Sequence, residues 1–106
     1  RHPEIDICIS HGGGTVAFLA EKIDQLAKVD SSVGDGVRHN GFLHELQKLW
    51  FDTHVKGEIA QHALHHYAHA ERLVLGTNLG GFDTPDQLDL NIRELTPNAM
   101  KLLRLS

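Results

Sequence analysis

Chemistry in this sequence gathers where a histidine meets three glycines, in ISHGGGTVAF (residues 9–18). A His-Gly-Gly-Gly loop after a strand can supply oxyanion-hole amides to a tetrahedral intermediate. That reaction also needs a serine on a Gly-x-Ser-x-Gly elbow. Ser10, Ser31, Ser32 and Ser106 are the serines, and none has glycines two residues apart around it. An esterase of this type would need its nucleophile from outside the chain. Three glycines leading into a helix can also present free amides to an anion. Yet no Gly-Lys-Ser/Thr follows them and no Gly-x-Gly-x-x-Gly spacing occurs, so a phosphate cradle is the weaker reading.

The elements that must position His11 repeat a pattern. Ile5–Ile9 is a short apolar run that suits a buried strand, and it ends in Ser10-His11. Trp50–Val55, rich in aromatic and β-branched residues, reads as a second strand carrying Asp52-Thr53-His54 at its end. Arg72–Gly76 reads as a third, ending in Thr77-Asn78. Between them lie helical patterns. Val16, Leu19, Ile23 and Leu26 recur at helical spacing, Phe42–Leu49 looks helical, and Gly57–Ala70 is a further helix. Thr84-Pro85-Asp86-Gln87 signals a helix start whose stripe is Leu88, Ile92 and Leu95, and Thr96-Pro97 signals the last helix in the same way. Residues 29–41 are rich in Gly, Ser and Asp without a period and are expected to form a long loop.

Strands alternating with helices predict an α/β fold with parallel pairing through right-handed crossovers. In such a sheet the three polar strand ends lie on one side, the side that forms the active face of βα-barrels. Any one polar strand end is ordinary, because loops begin there. Three ends converging on His, Asp/His and Asn point to a site. Three parallel strands alone leave an open edge, so the chain is expected to be part of something larger.

Bulk properties narrow the class. Of the 106 residues, 41% are hydrophobic and 23% charged, as in ordinary globular protein. No apolar run approaches a membrane span. The net charge of −4 argues against a nucleic-acid surface. Cys8 is the only cysteine, which excludes an internal disulfide, suggests a reducing cytoplasmic setting, and suits an inert core position in mid-strand.

Taken together, ICISHGGGTVAF (7–18), WFDTHV (50–55), RLVLGTN (72–78) and TPNAMKLLRL (96–105) resemble the C-terminal portion of the amidohydrolase-2 family, the metal-dependent βα-barrel hydrolases, hydratases and decarboxylases related to aminocarboxymuconate-semialdehyde decarboxylase. The resemblance covers nearly all of the chain. It implies a single partial domain, residues 1–106, forming the last three βα units of a (β/α)8 TIM barrel. It also implies catalysis by water activated on a divalent metal, zinc, acting on a small and often carboxylated substrate. His11 matches the family's active-site histidine and would act as acid or base; a neutral imidazole near its working pKa suits that task. Gly12 and Gly13 would let the backbone approach the substrate, and Asp52 and Thr53, which match family positions, would support the reacting groups from behind or serve packing. His54, at a strand end, reads either as a histidine bonded within its loop or as a pocket residue.

Asn78 stands where the family has a metal-binding aspartate. An amide offers a neutral oxygen to a metal but cannot serve as a base. The resemblance therefore carries an alternative, a catalytically inactive barrel that binds a ligand or partner. Asp83 could be a displaced carboxylate, although an Asp before a helical Pro is more often a helix-start residue. The remaining metal ligands are expected outside this chain, with the rest of the barrel, another chain or a second copy as partners. A free-standing α/β interaction domain is the third possibility.

HALHHYAH (62–69) holds i, i+4 histidine pairs, but a helical projection at about 100° per residue separates them from the apolar side. With Ile59 at zero, Ala60, Ala63, Leu64, Tyr67 and Ala70 form one face. His62, His65, His66 and His69 form the opposite one and are expected to meet solvent. His2, His39 and His44 carry no usable signal.

Overall fold

The computed structural model describes residues 2, 4–77 and 92–105. Three short strands, β1 (Cys8–Ile9), β2 (Trp50–Asp52) and β3 (Leu73–Val74), form one sheet in the order β1-β2-β3. Both pairings are parallel, with Cys8 opposite Trp50 and Phe51 opposite Leu73. The connections are helical: α1 (Val16–Val29), α2 (Asp35–Asn40) and α3 (Phe42–Leu46) join β1 to β2, and α4 (Glu58–Tyr67) joins β2 to β3. α5 (Ile92–Leu102) follows β3 in the chain. Each strand is shorter than the run expected for it: β1 lacks residues 5–7 at its start, β2 lacks 53–55 at its end, and β3 lacks 72 at its start and 75–76 at its end.

The central strand carries the core. Phe51 is fully buried, Trp50, Leu64 and Leu73 nearly so, and the Phe51 and Tyr67 rings meet edge to face at 5.3 Å. Burying aromatic side chains contributes more than any local propensity in a three-residue strand. Below the sheet, the Trp50 indole N–H donates to Asp6 at 3.2 Å and the Arg72 guanidinium lies 4.8 Å over the Trp50 ring.

Four expectations need correcting. The stretch 29–41 contains α2, a short helix between Gly34 and Gly41; with only Val37 half-buried, it shows no apolar period to read. The stripe expected on α1 holds only in part: Val16 and Ile23 are half-buried, but Leu19 and Leu26 are exposed, and Ala20 and Ala27 are the fully buried positions, since small side chains let α1 pack closely. Thr96-Pro97 does not open a helix, because α5 runs through it with Pro97 inside. The lost backbone bond is offset by Asn98, whose amide donates to the carbonyls of Ala70 and Leu73, both at 2.8 Å, and ties α5 to β3. Asn98 thus has a structural task. Cys8 is exposed instead of buried, because β1 is an edge strand, and Ile5 and Ile7 beside it are exposed as well.

The expected helix starts at Thr84, Asn78 and Asp83 lie outside the described residues. No helix among the described residues is long and apolar enough to cross a membrane.

Candidate functional site at the strand ends

The chain leaves β1 through a turn of unusual hand. His11, Gly12, Gly13 and Gly14 have φ of 52°, 55°, 85° and 59°, four left-handed residues in succession. Gly13 N–H bonds back to Ser10 and Gly14 N–H to His11, closing a tight 3-10 turn. Left-handed backbone costs an L-residue roughly 1–2 kcal/mol. Glycine removes that cost at three positions, and His11 alone bears it. The glycines also make room. A Cβ on Gly12 would lie 2.6 Å from a Val55 methyl, and one on Gly13 would lie 2.6 Å from the Tyr67 hydroxyl and 2.7 Å from Val16. The missing side chains of Gly12 and Gly13 therefore face protein.

Asp52, at the end of β2, anchors this turn. Its Oδ1 accepts the Gly12 N–H at 2.9 Å and the His54 N–H at 3.1 Å. One carboxylate oxygen thus holds the backbone of both histidine-bearing loops. A carboxylate accepting two backbone amides is a strong, charge-assisted arrangement. On the other side, the Tyr67 hydroxyl donates to the Gly12 carbonyl. Burial pushes the Tyr67 phenol up to about 12, so it remains a protonated donor at neutral pH. Gly76, just past β3, closes over Asp52: a Cβ there would come within 2.8 Å of the carboxylate's own Cβ and Cγ.

These anchors bring two imidazoles together. The His11 ring sits 5.0 Å from that of His54, tilted by 57°. His11 is exposed, whereas His54 is only 3% exposed. His11 can meet a ligand and His54 backs it. Thr53 works differently. Its N–H donates to Val74 at 2.9 Å and its hydroxyl accepts the Gly76 N–H at 3.3 Å, so it fastens β2 to β3. Partial desolvation, and then the Asp52 charge, hold the Cys8 thiol above its ordinary pKa.

The structure therefore brings His11, Gly12, Gly13, Asp52, Thr53 and His54 to one end of the sheet. Sequence reasoning missed Tyr67 and Gly76. The helical projection puts Tyr67 on the apolar face of α4, and its one available signal is that a buried tyrosine requires a partner for its hydroxyl. The histidines of α4 are exposed, as the projection gave. Ile59, the reference of that apolar face, is 89% exposed; the face is covered only at Leu64 and Tyr67 and half-covered at Ala60 and Ala63.

The residues present test the implied zinc. Among the described residues no three His, Cys, Asp or Glu side chains gather in a geometry that could hold a metal ion. The Asp52 oxygen nearest the turn already accepts two amides. The described residues alone do not make a metal site. An open cleft of about 960 Å³ lies between α1 and α4, walled by Phe18, Ile59, Ala63, Leu64 and Tyr67. It touches the turn only through Gly12 and Gly14, and His11, Asp52 and His54 do not line it. The cleft is lined mainly by apolar groups, whereas the polar groups converge at the strand ends.

The fold and site define a class: parallel βα units whose strand ends present an exposed imidazole on a backbone turn that a carboxylate holds. No family model and no curated protein matches the chain. Among solved structures it is similar to IDCase from Metarhizium anisopliae, crystallised in apo form, with a TM-score of 0.67 and 21% identity. That match covers 95% of this chain and 34% of the other, so the chain spans about a third of the structure it resembles. At this identity the likeness is one of fold.

Proposed function

We propose that this chain supplies three βα units, and with them the His11 rim, of a (β/α)8 enzyme of the amidohydrolase-2 class that hydrolyses or decarboxylates a small carboxylated molecule. The observation that carries the reading is an exposed imidazole on a braced left-handed turn at the end of a parallel strand. The likeness to IDCase supports it at the level of fold. Two further features agree. Cys8 in the edge strand β1 is exposed together with Ile5 and Ile7 before it, and the Cα radius of gyration is 15.0 Å, where about 13 Å suits a compact domain of this length.

In this reading a divalent metal, zinc by resemblance, is held chiefly by groups beyond the described residues and supplies activation of water or substrate. The chain's own contribution is His11, which holds or delivers a proton at the substrate, with His54 filling the space behind its ring. Gly12 and Gly13 line that rim by their backbone. Asp52 and Thr53 fix the loops.

Metal analysis of the full-length protein tests this together with turnover of a panel of small carboxylic acids. We expect about one divalent ion per chain and a His11→Ala variant that retains the metal but loses turnover by about 100-fold or more. Full turnover in His11→Ala would end the reading. Asn78 favours a second reading, a ligand-binding barrel without catalysis. Turnover absent in the natural protein but present in Asn78→Asp would establish it.

A further inference from the structure

We propose that Asp52 and Tyr67 are positioning residues that act together to set the His11 imidazole against His54. This rests on the reading of His11 as the acting group and assigns the parts that aim it. Gly12 lies between the two peptide groups of the turn, and both are held. The peptide on its N-terminal side donates to Asp52, and the carbonyl on its C-terminal side accepts from Tyr67. Gly12 itself is buried against Val55 and Leu64, so its left-handed backbone has no room to relax. His11 is the residue immediately before this fixed point and is itself left-handed. Its side-chain direction therefore follows from where the Gly12 peptides are pinned.

The same Asp52 oxygen sets the partner ring. Because Oδ1 accepts the amides of both Gly12 and His54, it fixes the distance between two loops 42 residues apart in the chain, counted from residue 12 to residue 54. Tyr67 comes from a third element, α4, and its ring is held by Phe51. Removing its hydroxyl leaves that ring contact in place, which separates aim from fold. A side chain that only filled space would be replaceable by phenylalanine. A residue that aims His11 would not be.

Histidine-selective labelling of the full-length protein tests this by nuclear magnetic resonance, without substrate. In the natural protein a ring-to-ring cross-peak should join His11 and His54. Tyr67→Phe should lower the melting temperature by only roughly 2–4 °C, the loss of one hydrogen bond. It should also abolish the cross-peak and move the His11 ring signals to those of an exposed histidine such as His62. Asp52→Ala, with a larger loss of stability, should likewise abolish the cross-peak, and Asp52→Asn, which keeps an acceptor oxygen, should restore it. Natural cross-peak intensity in folded Tyr67→Phe and Asp52→Ala would overturn the proposal. Should either variant fail to fold, hydrogen exchange of the natural protein decides: protected Gly12 and His54 amides support the brace, and rapid exchange at both overturns it. These measurements need no turnover, so an enzyme lacking the proposed activity with an intact cross-peak would refute the function and leave the brace standing.

Discussion

On α4, His62, His65 and His66 stand in solvent on one helix face, while at the strand ends His11 and His54 face each other across 5.0 Å with their backbones tied to one carboxylate. The helix holds the denser cluster and the more tempting spacing. It is nevertheless the strand ends that have what a site requires: parts from several elements, fixed in relation to one another, with one group left accessible. Density of a residue type does not make a site. Convergence of independently anchored elements does.

Substitutions can break or sharpen this contrast. The largest effect is expected at Gly13, where Ala meets both a left-handed φ and the Tyr67, Val16 and Phe51 side chains. We expect a loss of about 4 kcal/mol in chemical denaturation. Gly14→Ala, one residue on at φ 59° and ψ −125° but with nothing within 4 Å, should cost only the backbone strain, about 2 kcal/mol. Equal costs at the two positions would mean that the turn is not packed as described.

Asp52→Ala comes next, at about 3 kcal/mol, since it removes a charged acceptor from two backbone amides. Smaller again is a dependence on pH. The folded-state pKa of Tyr67 lies near 12, above its unfolded value of 10, so the folded protein keeps a proton that the unfolded chain releases. This contribution is complete below pH 10 and is lost as pH rises through 12; Tyr67→Phe should flatten the alkaline slope of stability against pH. The smallest effect is expected on α4. His62→Ala with His66→Ala should change stability by no more than about 0.5 kcal/mol and leave turnover unchanged. A loss of turnover there would reverse the comparison.

Much of the architecture could be read along the chain. Apolar runs separated by helical periods gave three parallel strands, and the polar letters after each run marked the end of the sheet that carries His11, Asp52 and His54. Other features resisted reading. α2 has too little apolar surface to leave a periodic trace, and Pro97 looks like a helix start because the Asn98 bonds that hold α5 through it reach residues 25 and 28 positions away. The face of α1 that is buried depends on which neighbours cover it, so Leu19 and Leu26 were indistinguishable from core until the packing was known.

Local sequence by itself determined that three glycines follow a histidine, and hence that a left-handed turn was affordable there, because backbone freedom belongs to the residue. It also determined that α4 would turn its histidines from its covered side, because helical periodicity is set by hydrogen bonds within the segment. Only the tertiary structure decided that Asp52 reaches Gly12 and that Tyr67 meets the same residue from α4. It alone decided that His54 is buried behind His11. Those contacts join residues 40 and 55 positions apart. Their geometry is fixed by parallel pairing and helix packing, which no local stretch of the chain encodes.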